Sequence, residues 1–308
     1  MARVKICKPC LWTALLGIGF LFIWYFKVLA LGYYWLTTSV NAAQWERSAL
    51  WLPSYRVAVE GLPIEGLTRN TSGLTFNEKT GTLFTVINRP PQVAELTTDG
   101  RLLRVIEIDG VKDPEGITYV ERDTYVISDE DSHSMYWAQI GPDTQRVSVA
   151  GKSSLGLSID TVHNASFEGV SWDSAQHRLF VVKEKMPLRV LVISGLDVFN
   201  ESTGFNINIH EWQSSSAASL FMSDLSSLTL HEPTGQLLLL SDESALIVAY
   251  APNGKPISML PLWRGFHGLR QKVPQPEGLA VGPDGAIYVL SEPNLFYRFE
   301  RTAAPAGS

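Results

Sequence analysis

Apolar residues along most of the chain come in short runs of four or five, separated by turn-forming clusters, while one long run stands apart at the N-terminus. Runs that short, bounded by Gly, Pro, Asn, Asp and Ser, predict strands. The clearest unit lies near the C-terminus. Gly278-Leu-Ala-Val281 reads as a strand, Gly282-Pro-Asp-Gly285 as a turn, residues 286–290 as a second strand and 295–299 as a third. Glu277 stands just before the first strand and Glu292 just after the second. Antiparallel neighbours reverse direction, so the start of one and the end of the next share an edge of the sheet. Glu277 and Glu292 are therefore expected close together.

Four further copies begin at Ser72-Gly73, Glu115-Gly116, Glu168-Gly169 and Ser226-Ser227, at successive intervals of 43, 53, 58 and 51 residues. Repeats of roughly 40–50 residues holding four strands each predict propeller blades. Third strands read at 93–96, 135–138, 189–193 and 246–250, and fourth strands at 102–108, 146–149, 205–209 and 256–260. Asp99-Gly100 and Asn253-Gly254 supply hairpin turns. The fifth copy has no fourth strand after it, but residues 55–59 alternate apolar and polar and can fill that place from the other end of the chain. An all-β sandwich is the competing architecture. Acids at a fixed phase of every copy favour an all-β, five-bladed propeller spanning 55–301, with 302–308 as a polar tail.

The long apolar run occupies 11–36, interrupted only by Lys27. About 20 apolar residues cross a bilayer, and Trp24, Tyr25, Tyr33, Tyr34 and Trp35 resemble interfacial aromatics. A cleaved signal peptide is the alternative, with Val40-Asn-Ala42 as its processing site, but the run exceeds the usual length of such a segment. A signal-anchor is expected, preceded by a basic tail at 1–10 and followed by a linker at 37–54. Arg3, Lys5 and Lys8 precede the run, which places the N-terminus in the cytoplasm. The propeller is then expected on the extracytoplasmic side of the inner membrane, in the periplasm if the cell is a Gram-negative bacterium. Both cysteines, Cys7 and Cys10, lie on the cytoplasmic flank, so the exported part has neither disulfide nor thiolate–metal site.

All 31 acidic residues follow residue 45, against 21 of the 25 basic ones. An exported domain this acidic argues against a nucleic-acid partner, which needs a basic footprint. The acids also repeat. With the first strand of each blade lining the channel, Glu115, Glu168 and Glu277 converge on one mouth, and Ser72 and Ser226 complete the ring. The ends of the second strands add Asn88, Asp129, Glu184, Asp242 and Glu292. Seven carboxylates on one ring repel each other, which raises some pKa values or demands a cation. Ca²⁺ takes six to eight oxygens in flexible geometry and suits such a ring; zinc suits it less, lacking cysteine or paired histidines. Each acid taken singly has a structural alternative, accepting backbone N–H bonds or pairing with Lys183, Lys185 or Arg89. His163, just ahead of the third copy, is a candidate general base, with a solvated loop histidine as the bland alternative.

Ser291-Glu-Pro-Asn-Leu-Phe-Tyr-Arg-Phe299, Lys183-Glu-Lys-Met-Pro187, Phe167-Glu-Gly169 and Leu240-Ser-Asp-Glu-Ser244 resemble the SdiA-regulated, YjiK-like family of bacterial membrane proteins. The resemblance runs from about Leu62 to Arg301 and extends to the anchor. It implies a five-bladed propeller distantly related to NHL-repeat propellers, with a bound calcium. Blades one and four depart from the Glu-Gly pattern, so a metal is expected off-axis, toward blades two, three and five. Two functions follow as expectations. One is a calcium-loaded module that binds a small-molecule or envelope-protein ligand. The other is a calcium-dependent hydrolase of lactones or phosphate esters, with Glu168, Glu184 or His163 as base.

Overall fold

The computed structural model describes residues 8–46, 49–159, 167–185, 187–196, 206–212 and 222–302. Strand β1 (Tyr55–Pro63) comes first, and the repeats follow as five sheets. Blade one is β2 (Thr71–Asn77), β3 (Thr82–Ile87), β4 (Gln92–Leu96) and β5 (Leu102–Asp109). Blade two opens with β6 (Pro114–Glu121), β7 (Thr124–Asp129) and β8 (Ser134–Gln139). The next two strands, β9 (Arg146–Ser148) and β10 (Ser154–Gly156), are short. Blade three is β11 (Phe167–Asp173), β12 (Arg178–Lys183), β13 (Arg189–Ser194) and β14 (Asn208–Glu211). Blade four is β15 (Ser227–His231), β16 (Gln236–Ser241), β17 (Leu246–Tyr250) and β18 (Pro256–Pro261). Blade five is β19 (Pro276–Val281), β20 (Ile287–Ser291) and β21 (Leu295–Arg301), completed by β1.

The ring closes as the alternating segment at 55–59 predicts. β1 pairs antiparallel with β21, Tyr55 opposite Arg301 and Pro63 opposite Leu295. The Tyr55 hydroxyl donates to the Gly285 carbonyl at 2.8 Å, fastening the closing strand to the β19–β20 turn. Among the described residues, five apolar clusters each fill a wedge between two adjacent blades, and a smaller one lies under the end of the second N-terminal helix. The second strands carry most of the core: every residue of β16 is buried, and every residue but the first in β3, β7 and β12. Buried on both faces, such strands read as continuous apolar runs.

Two outer strands differ from expectation. Residues 146–149 do not complete blade two; β9 crosses to blade one and pairs parallel with β5, while β10 takes the place beside β8. Polar contacts explain the crossing. Arg146 pairs with Glu107 and Asp109 on β5, and the Arg104 guanidinium donates to the carbonyls of Gly141, Pro142 and Thr144, drawing that loop over. In blade three the outer strand is β14, shifted from the expected 205–209. All four of its residues are exposed, so burial gives no preference for one register.

The N-terminal apolar run is two helices, α1 (Lys8–Tyr25) and α2 (Val28–Trp45), separated at Lys27, whose backbone is left-handed (φ 50°). No residue of α1 is buried, and it is long and apolar enough to cross a membrane. α2 behaves differently. Ala30, Tyr33 and Tyr34 pack on the cluster between blades three and four, and the helix lies along β18. It therefore covers the edge of blade four, where unpaired strand groups would otherwise be presented. The stretch expected as a linker from residue 37 is helical through Trp45, because Ala42 and Trp45 pack against Trp51, Ala251 and Ile257.

Candidate functional site

The acid mouth begins with a glycine. A Cβ at Gly73 would stand 2.6 Å from the Glu115 carbonyl oxygen, and one at Gly116 would stand 2.2 Å from that of Glu168. Inner strands so close leave no room for a side chain, which is why the repeat reads Glu-Gly in blades two, three and five. Hydroxyls bind the strands together there. Ser72 donates to the Glu115 carbonyl at 2.9 Å, Ser128 to that of Glu168 at 2.8 Å, and Ser226 to that of Pro276 at 2.8 Å. The two serines that replace acids in the ring thus tie neighbouring blades.

Glu115, Glu168 and Glu277 are half-buried around the channel, and their charges oppose one another. Burial, partly offset by Asn88, pushes the Glu115 carboxyl up to about 7. Burial and then Asp242, Glu115 and Glu292 push Glu277 up to about 9. Glu168 is held well above the usual range by burial and by Glu184, Glu115 and Glu277. At the second-strand ends, burial and Asp224 push Asp242 up to about 6, and burial raises Glu292. Six of the expected acids thus share one field. Among the described residues no lysine or arginine lies within salt-bridge distance of Glu115, Glu168 or Glu277; Glu184 is paired with Lys185.

Asp129 is spent differently. One carboxylate oxygen accepts the N–H groups of Lys112 (3.0 Å) and Asp113 (2.7 Å), and the other accepts the Ser132 hydroxyl at 2.6 Å. It anchors the loop entering β6, and with it Asp113. That loop completes a tighter cluster. Carboxylate oxygens of Asp113, Glu115 and Glu130 lie within 4.8 Å of one another. Asn88, 8% exposed, donates its amide to Glu115 at 2.9 Å, while its own Oδ1 is buried and accepts nothing. Asp113 Oδ1 is likewise buried without a donor, although the other oxygen of that carboxylate pairs with Arg89 at 2.8 Å. Buried acceptors left unfilled are rare and need an explanation.

Asp113 and Glu130 escaped the sequence reading because they fall outside the repeat's phase, two residues before Glu115 and one after Asp129. A signal existed: Asp113-Pro-Glu115 and Asp129-Glu130 are the acid pairs nearest those two positions. Asp224 likewise stands two residues before Ser226, where it accepts the Ser241 hydroxyl and the N–H of Glu243. His163 lies outside the described residues.

The opposite mouth has another chemistry. Phe76, Tyr119, Trp172, Leu230 and Val281, one from each inner strand, are half-buried around a cavity of about 200 Å³. Hydroxyls again link the blades: Thr75 accepts the N–H of Tyr119, Thr118 that of Trp172 and Ser171 that of Leu230, each at 3.0 Å.

Residues 47–300 match the SdiA-regulated family model. The chain belongs to the SdiA-regulated family. Among solved structures it is similar to the glutaminyl cyclase of Myxococcus xanthus (13% identity, TM-score 0.53, covering 80% of this chain and 95% of that one). It is also similar to a gluconolactonase from Xanthomonas campestris (10% identity, TM-score 0.47, covering 82% and 92%). At 13% identity the likeness to the glutaminyl cyclase is one of fold, and propellers host unrelated functions. In this member of the SdiA-regulated family, the unfilled oxygens and crowded carboxyls lie at the acid mouth.

Proposed function

We propose that this protein is a membrane-tethered, extracytoplasmic propeller that binds Ca²⁺ off-axis at the acid mouth and presents that loaded mouth to a small-molecule or envelope-protein ligand. The observation that carries the reading is the pair of buried, unfilled oxygens on Asn88 and Asp113 beside Glu115 and Glu130. The donor set is oxygen throughout, from carboxylates and one amide, which fits a hard cation of flexible coordination. Asn88, Asp113, Glu115 and Glu130 would hold the ion, with Asp129 positioning Asp113. Glu168 and Glu277 extend the negative field around the channel. Calcium, once bound, supplies the positive charge that this field lacks.

Without a cation, burial and repulsion from neighbouring acids push the Glu115 carboxyl up to about 7 and that of Glu277 up to about 9. Ligands must be deprotonated to bind a metal, so uptake of calcium releases protons. Of the carboxylates a hydrolase would use as base, Glu184 is tied to Lys185, which favours binding over hydrolysis. Calorimetry of the full chain in detergent, titrated with Ca²⁺ in buffers of different ionisation enthalpy, tests the reading. Binding with proton release supports it, and no heat with Ca²⁺ overturns it. A screen of lactones and phosphate esters on the same preparation, with and without chelator, tests the hydrolase alternative.

A further inference from the structure

The membrane helix and the acid mouth meet at one place. β15 begins and β16 ends at the acid edge of blade four, so Ser223 and the 242–245 turn lie on that edge. The Lys27 ammonium donates to the Ser223 hydroxyl at 3.0 Å, and the Ser223 N–H donates to the Ser244 hydroxyl at 2.9 Å. Lys27 is two residues past the end of α1. The chain therefore leaves α1 at the level of the acid mouth.

α2 then runs away from that level. Tyr34 meets Phe266 and His267 with ring centroids 6.2 and 5.9 Å apart, nearer the start of the helix. Ala42 and Trp45, near its end, pack beside Ala251, which follows β17 at the opposite edge of the blade. Eighteen helical residues cover about 27 Å, enough to span a blade about 20 Å tall. The helix is a strap from the acid edge to the aromatic edge.

We infer that the acid mouth opens onto the phospholipid surface, with α2 holding that orientation and the aromatic mouth facing away. The inference rests on the reading of α1 as a membrane span. Exposed charge of both signs stands at each edge: Arg69 and Lys272 with Glu65 and Glu243 at the acid edge, Lys79 and Lys255 with Glu78 and Glu232 at the other, so the orientation is set by the strap and by the point where the chain leaves α1. A ligand of the mouth accordingly reaches it through the gap between propeller and bilayer, at headgroup level.

The full chain, with Cys7 and Cys10 changed to Ser, can be labelled at a single new cysteine and incorporated in phospholipid liposomes. Arg69→Cys and Glu78→Cys place a fluorophore on opposite edges of blade one, away from the strap. Quenching by headgroup-labelled lipid is expected to be several-fold stronger at position 69 than at 78. Equal or reversed quenching in protein that floats with the liposomes overturns the orientation and leaves the membrane span standing. Failure of the full chain to float with liposomes overturns the span and the orientation together.

Discussion

At one end of the channel the five inner strands present Ser72, Glu115, Glu168, Ser226 and Glu277; four residues later, at the other end, the same strands present Phe76, Tyr119, Trp172, Leu230 and Val281. Both mouths are stitched by hydroxyls between blades, so the backbone is held in much the same way at each. What differs is the electrostatic account. The aromatic end sets uncharged side chains around the channel, with Glu78 and Glu232 in the flanking turns. Acid side chains at the other end crowd like charges into a half-buried ring and leave two buried oxygens unfilled. A scaffold repeated five times can thus be indifferent to solution conditions at one end and dependent on them at the other.

Calcium should break the symmetry most. A ligand that binds only the folded state at one hundred times its Kd adds about 2.7 kcal/mol, and about 2–4 °C of Tm accompanies each kcal/mol in a domain of this size. Thermal denaturation of the full chain should show that rise. Asp113→Asn and Glu115→Gln should abolish most of it, whereas Trp172→Ala, at the other mouth, should lower the starting Tm and leave the calcium increment intact. A Trp172→Ala protein that loses its calcium increment would show that the two mouths are coupled.

pH should separate the mouths next. Glu115 and Glu277 sit at about 7 and about 9 against the usual 4.5, so between those values the folded chain binds more protons than the unfolded one. Stability of the metal-free protein is then full below about 4.5 and falls as pH rises through 7 and 9. Denaturant melts from pH 5 to 9 should show this decline, with calcium opposing it. Glu277→Gln should remove its upper part, and a flat profile in the parent protein would exclude the crowded ring.

Smaller effects test the supports. Asp129→Ala removes the acceptor of two backbone N–H groups and a hydroxyl, a loss of about 1.5–3 kcal/mol for bonds to a charged group. It should also weaken calcium binding, because Asp113 loses its anchor. Thr118→Val removes the acceptor of the Trp172 N–H at the aromatic mouth; about 1 kcal/mol of stability should go, with calcium affinity unchanged. Chemical denaturation and calorimetry on each variant measure both quantities.

The spacing of the copies was legible in the sequence because the close approach of inner strands forbids a side chain at Gly73 or Gly116 and so puts glycine in four of the five units, with Ser227 in the fourth. From that spacing followed the five blades, a closing strand at 55–59, which the structure extends to Pro63, and a ring of seven acids, of which six share one field. Asp113 and Glu130 were not legible: they reach the cluster from loops whose course depends on Asp129 and not on strand periodicity. β9 was misplaced because its three residues carry too little pattern to choose a partner, and the choice is made by Arg104 and Arg146 across the blade boundary.

By itself, then, the order of residues determined the repeat, the sheet class and the apolar content of the N-terminus, since these depend on local periodicity and on volumes that must fit at each strand. Only the tertiary structure decided that half of the apolar segment docks on blade four and that Lys27 meets Ser223 at the acid edge. Hydrophobicity states that a surface must leave water. It does not state whether lipid or protein will cover it; that depends on which matching surface the folded ring brings within reach.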